Sequence, residues 1–175
     1  MPTASIADDD DMPPRPRCGP ATADNLEGPF YKEGAPHRAV LASSRDKGTP
    51  LVLSGLVMSR SCTPLANAEL DIWHANADGA YDNEGYKFRG ALTTDANGRW
   101  QLRSIVPGRY LNGRTYRPAH VHVKVRAKKH EELTTQLYFA GDPYNEDDPF
   151  IVESLIMKTE TTKGVQRGRF DFVLA

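Results

Sequence analysis

The chain has 175 residues, with 22 Lys plus Arg against 23 Asp plus Glu and a formal net charge of −1. That length suits one domain able to bury about 70% of its unfolded surface, and 39% hydrophobic with 26% charged residues fits a globular chain, not a disordered one. Scattered, balanced charge speaks against a nucleic-acid partner, no apolar run approaches the ~20 residues of a membrane span, and two cysteines are too few for a thiolate zinc or iron–sulfur site.

Residues 1–20 read as an arm. They hold Asp8 to Asp11 and then Pro13, Pro14, Pro16 and Pro20, with almost no large apolar side chain. Such a segment buries too little surface to offset its ordering entropy, which predicts a flexible arm or one laid over the domain. Residues 21–175 form the single expected domain. Its first part, residues 21–50, is punctuated by Gly28, Pro29, Gly34, Pro36, Gly48 and Pro50 and reads as irregular. Within it Glu27-Gly28-Pro29-Phe30-Tyr31 places two aromatics in a loop, which predicts a loop packed on something.

From Leu51 the pattern becomes strand-like. Leu51, Leu53, Gly55 and Val57 alternate with neighbours of the other face, and Ala68 to Trp73 form the next run. Phe88 to Thr94 and Arg99 to Ile105 flank Asp95-Ala96-Asn97-Gly98, whose Asn-Gly predicts a hairpin. Ala119 to Ala127, Leu133 to Phe139, Ile151 to Lys158 and Val165 to Leu174 complete eight runs. With no long segment of 3.6 period, and at most a helical turn at Asn145 to Asp148, an all-β sandwich or barrel follows.

The segment Arg117-Pro118-Ala119-His120-Val121-His122-Val123 carries the clearest chemistry. Alternate strand residues share a face, so His120 and His122 lie about 6.6 Å apart along the strand and can converge on one metal ion. Paired histidines on a strand surface are also common without a metal, so this spacing leaves both readings open. His37, His74 and His130 do not repeat it. Tyr81 and Tyr110 each sit just past a strand. Singly, each reads as an amphipathic packing residue; with two imidazoles they make a plausible donor set of two nitrogens and two oxygens.

Several blocks in order now resemble the intradiol ring-cleavage dioxygenases. They are Glu27-Gly28-Pro29-Phe30-Tyr31, the stretch from Ile72-Trp73-His74 to Gly79-Ala80-Tyr81, Phe88-Arg89-Gly90 with Thr94-Asp95, and Ile105 to Tyr110. Arg117 to His122 and Leu133 to Tyr144, the latter containing Gln136, extend the resemblance. It implies a transthyretin-like two-sheet β-sandwich and a non-haem Fe(3+) site that opens catecholic rings between the hydroxylated carbons with O2. The products would be muconate-type dicarboxylic acids. Tyr81, Tyr110, His120 and His122 match the family's iron ligands, Arg117 and Gln136 its residues beside the substrate, and the Gly28-Pro29-Phe30-Tyr31 loop its pocket lining. A hard ferric ion suits phenolate donors, since only a strong Lewis acid keeps a phenol ionised at neutral pH. One phenolate must leave when a catechol dianion binds, or the site carries uncompensated charge; the family pattern gives that part, and the role of internal base, to Tyr110.

The resemblance has departures. Only nine residues separate Tyr110 from His120, and Tyr116, directly before Arg117, rivals Tyr110 as a ligand. The long helical N-terminal domain of catechol 1,2-dioxygenases has no counterpart, which leaves the oligomeric state open. Cys18 and Cys62 stand in contexts that resemble exported members; paired, they would close a loop of about 45 residues and contribute about 3–4 kcal/mol, and unpaired they would be two free thiols. No positively charged start leads into an apolar signal region. The expected compartment is cytoplasmic if Met1 is the native start and extracytoplasmic if a signal peptide was trimmed. Two rival functions are a non-catalytic transthyretin-like binding module and a cupin-like metal oxygenase using His-x-His with a carboxylate.

Overall fold

A computed structural model describes residues 18–175, so residues 1–17 of the expected arm lie outside the described residues. Twelve short strands build two five-stranded sheets and a small ribbon. In the first sheet β1 (Pro50–Ser59) pairs antiparallel with β4 (Arg99–Ile105) and, on its other edge, parallel with β11 (Val165–Arg169) and then β12 (Phe172–Leu174). β10 (Thr159–Thr162) closes the far edge against β11. The second sheet runs β3 (Arg89–Thr93), β2 (Glu69–Trp73), β7 (His120–Arg126), β8 (Leu133–Phe139) and β9 (Ile156–Met157). The ribbon is β5 (Tyr110–Asn112) against β6 (Thr115–Arg117).

Alternation explains which faces meet. Leu51, Leu53 and Val57 of β1 point to the same interior as Leu70 and Ile72 of β2, Val121, Val123 and Val125 of β7, and Leu137 of β8, each no more than 1% exposed. Removing one such side chain from water contributes about 1.5–3 kcal/mol. Gly55 interrupts the β1 alternation because a Cβ there would meet the Phe170 carbonyl oxygen at 1.8 Å. At the same point the last strand run breaks into β11 and β12, with the Asp171 carboxylate accepting the Leu56 N–H at 3.0 Å in place of a ladder bond.

Two further strand expectations change. The Asn97-Gly98 turn forms, with Asp95 accepting the Asn97 and Arg99 N–H groups at 2.9 Å, yet it does not close a hairpin. β3 pairs with β2 and β4 with β1, so the turn carries the chain from one sheet to the other. The Ile151 to Lys158 run resolves into a 3-10 turn, Glu153–Leu155, and the two-residue β9. Asn145 to Asp148 forms hydrogen-bonded turns without a helix.

The irregular segment from Cys18 to His37 lies as a strap over the molecule. Cys18 and Cys62 are joined in a disulfide. The Thr22 N–H donates to the Val173 carbonyl at 2.9 Å, and Asn25 N–H to the Thr134 carbonyl at 2.8 Å. The strap thereby crosses from β12 to β8 and onto the outer face of the second sheet. Among the described residues, no helix is long and apolar enough to cross a membrane.

Candidate active site

The outer face of the second sheet is polar yet covered. Residues alternating with the interior valines of β7 are His120, His122 and Lys124, only 4%, 2% and 7% exposed. In register beside them are Tyr138 and Gln136 on β8 and Trp73 on β2. The His120 and His122 Nε2 atoms stand 3.2 Å apart. The Tyr81 hydroxyl, on the loop after β2, is 3.4 Å from His120 Nε2. Tyr110 begins β5, its ring 6.1 Å from that of Tyr81 and nearly perpendicular to it. The ribbon register sets Tyr110 opposite Arg117, bringing a ligand-type side chain and a guanidinium to one place. Tyr116, one residue off in that register, packs on Tyr144 with ring centroids 5.7 Å apart and is exposed.

Burial sets the protonation states. It pushes His120 down to about 4 and His122 well below the ordinary imidazole value; the Arg117 charge adds to both and His120 adds to the second. Both rings are therefore neutral at neutral pH. His120 Nδ1 lies 2.8 Å from the Pro118 carbonyl, which can only accept, so Nδ1 carries the proton and the Nε2 lone pair is free. His122 Nδ1 is buried without a hydrogen-bond partner, while the ring stacks on Trp73 at 4.8 Å. Burial raises the Tyr81 phenol above its ordinary value, against the pull of Arg117 and Arg89. Among the described residues no group of three or more His, Cys, Asp and Glu side chains converges. The donors nearest the imidazoles are phenols, whose ionisation requires a strong Lewis acid.

The loop expected to line the pocket reaches the site unevenly. Gly28 has φ +71°, in the left-handed region, and a Cβ there would touch the His122 ring at 3.4 Å. Pro29 lies at an exposed turn. Tyr31 packs on Trp73, and its hydroxyl donates to Asp71 at 3.0 Å and accepts from Arg126 at 3.2 Å. Phe30 is the residue that meets the phenols, stacked on Tyr81 at 4.3 Å and edge-on to Tyr110 at 5.3 Å.

Arg117 is buried and held through its Nε and Nη2 groups. It donates to both Asp148 oxygens at 3.0 and 2.9 Å, to Gln136 Oε1 at 3.0 Å and to the Tyr138 hydroxyl at 3.1 Å. Gln136 in turn donates from Nε2 to the Leu26 carbonyl at 2.8 Å, anchoring the strap. Phe30 belongs to the loop expected to line the pocket, whereas Asp148 and Tyr138 carry no sequence signal beyond their place in the acidic stretch or the resembling blocks. The alternation of Lys124 and Arg126 with the β7 valines, on the histidine face, was the available signal that this face continues as a polar seam.

Comparison with known proteins places these features among relatives. The Dioxygenase_C family, described as dioxygenase, matches residues 26–175. A catechol 1,2-dioxygenase of Acinetobacter baylyi is 36% identical over 153 residues, covering 73% of this chain and 49% of the relative. A chlorocatechol 1,2-dioxygenase of Pseudomonas putida is 35% identical over 176 residues, covering 87% and 68% respectively. The chain thus spans about half to two-thirds of the length of these curated relatives. Among solved structures, the dioxygenase domain of a dioxygenase carbohydrate-binding protein fusion from Streptomyces sp. SirexAA-E is similar with a TM-score of 0.84. It is 43% identical, with 89% of this chain and 98% of that one covered.

Proposed function

The chain belongs to the intradiol ring-cleavage dioxygenase family, and from that premise we propose that it is a non-haem Fe(III) enzyme. It opens a catecholic ring between the two hydroxylated carbons with O2 and yields a muconate-type dicarboxylic acid. The observation that carries this reading is the convergence of two neutral imidazole nitrogens, 3.2 Å apart, with the Tyr81 hydroxyl at 3.4 Å. Two neutral nitrogens and two phenols suit a hard trivalent ion better than a thiolate- or carboxylate-seeking one.

His120, His122, Tyr81 and Tyr110 would hold the iron. Ferric iron, when bound, supplies the Lewis acidity that ionises phenols and catechol hydroxyls at neutral pH. The chain's own residues do the rest. His120 is fixed in the correct tautomer by Pro118. The Tyr110 hydroxyl makes no hydrogen bond among the described residues, so once ionised its oxygen would be free to take a proton from an incoming catechol hydroxyl. Phe30 presents an apolar ring edge-on to Tyr110 and flat on Tyr81, limiting water beside the phenols. Arg117 holds its charge next to His120 and His122 in a fixed orientation through Asp148, Gln136 and Tyr138, where it can stabilise negative charge developing on substrate carbon.

The named relatives favour catechol and chlorocatechols as the substrates to try first. The Cys18–Cys62 disulfide supports an oxidising compartment outside the cytoplasm. Oxygen uptake by the ferric-loaded protein with catechol, chlorocatechols, hydroxyquinol and protocatechuate tests the activity. The expected result is one O2 consumed per ring and a dicarboxylic acid cleaved between the hydroxylated carbons. An extradiol aldehyde product, or binding without oxygen uptake, overturns it.

A further inference from the structure

Arg89 opens β3 in register with Trp73 and is only 2% exposed. Its Nε donates to the Asp82 carbonyl at 3.0 Å and its Nη1 to the Phe30 carbonyl. These carbonyls belong to the two segments whose rings meet: Asp82 directly follows Tyr81, and Phe30 stacks on Tyr81 at 4.3 Å. One guanidinium therefore staples the strap to the Tyr81 loop, below the ring stack.

The charge of that guanidinium is met only from beyond ion-pair distance, by the carboxylates of Asp82 and Asp71. Among the described residues Arg89 makes no ion pair, whereas Arg117 is bidentate on Asp148, with side chains 10% and 1% exposed. Asp82, the nearest candidate, spends its carboxylate on the Gly85, Lys87 and Glu84 N–H groups. The difference is visible in how burial acts on each. Burial holds Arg89 below the ordinary arginine value, while for Arg117 the bonds and charge of Asp148 outweigh burial and raise it. A buried cation without a counter-charge is costly unless an anion completes it.

We propose that Arg89 is a positioning residue of the site, fixing Phe30 against Tyr81 through the Asp82 and Phe30 carbonyls and holding a buried positive charge beside the Tyr81 loop. This rests on the ferric reading above and deepens it. Arg117 is paired with Asp148, whereas Arg89 has no carboxylate at ion-pair distance among the described residues. Removing a cation beside a phenolate raises the energy of the phenolate electrons, so a tyrosinate-to-iron charge-transfer band moves to longer wavelength.

The test compares Arg89→Gln and Arg89→Lys with the wild-type protein, each loaded with ferric iron. Arg89→Gln should move the visible band to longer wavelength; Arg89→Lys, which keeps the charge but loses the planar fork, should leave it in place. Both should raise the KM for catechol about tenfold through a loosened Phe30. A lowered unfolding midpoint of the metal-free variants, with band and KM both unmoved, would reduce Arg89 to a structural staple and overturn the proposal. If Arg89→Gln does not fold, Arg89→Lys decides: a wild-type KM overturns the positioning role. A coloured, active wild type with unmoved variants sinks only this proposal. A colourless, inert wild type sinks the ferric reading and this one with it.

Discussion

Val121, Val123 and Val125 on one side of β7, and His120, His122 and Lys124 on the other, are almost equally hidden from water. The valines are covered by an opposing sheet, against Leu53 and Leu102 among others. The polar residues are covered by a strap of irregular chain held through directional bonds, including Gln136 to Leu26 and Lys124 to Glu27 at 2.7 Å. Burial of the first kind stabilises the fold. Burial of the second kind withholds water from two imidazoles and two phenols, and costs stability unless each polar atom finds a partner.

The contrast predicts opposite phenotypes on adjacent faces. His120→Ala should abolish iron retention and lower ring-cleaving activity at least about a hundredfold, while shifting the metal-free unfolding free energy by less than about 1 kcal/mol. Val123→Ala should do the reverse, losing about 2 kcal/mol in urea denaturation and keeping its iron. Equal destabilisation by the two substitutions would break the comparison. At the ribbon, Tyr110→Phe should retain part of the iron and slow turnover about tenfold or more, whereas Tyr116→Phe should stay within about twofold in steady-state assays. The opposite order would move the ligand role to Tyr116.

These faces were unequally legible from sequence. The interior strands announce themselves by alternation, and Arg99 to Ile105 and Leu133 to Phe139 match β4 and β8 to the residue. β5, β6 and β10 escaped because they are short and mostly exposed, with no apolar side chains recurring at alternate positions. The Asn97-Gly98 turn was recognisable as a turn, but local turn chemistry does not say which sheet receives the next strand. His120 and His122 were visible as a pair in the same way as the valines between them. Asp148, Tyr138 and Arg89 were not, because their roles exist only once distant segments meet: Asp148 is 31 residues from Arg117, and Phe30 is 59 from Arg89.

A pH series sharpens the comparison further. His74 is buried between Ser104 Oγ and the Ala75 carbonyl, each 2.6 Å away, and burial pushes it down to about 4 from 6.5. The unfolded chain takes up that proton first, so the contribution is complete above pH 6.5 and is lost as pH falls towards 4. The loss is on the order of 3 kcal/mol. Urea denaturation of the metal-free protein should show it, and His74→Gln should remove His74's share of the slope. A small effect belongs to the strap's rim. Lys124→Met breaks a pair whose carboxylates on Glu27 and Glu132 are nearly half exposed. It should raise the catechol KM about two- to fivefold with kcat retained.

The visible spectrum of the purified protein loaded with ferric iron reports whether tyrosine oxygens hold the metal. A reddish tyrosinate-to-iron band, present in wild type and in Tyr116→Phe, weakened in Tyr81→Phe, where only Tyr110 remains, and displaced when catechol is added without O2, is the predicted result. A wild-type protein that binds one ferric ion per chain yet stays colourless would contradict the two-histidine, two-tyrosine site.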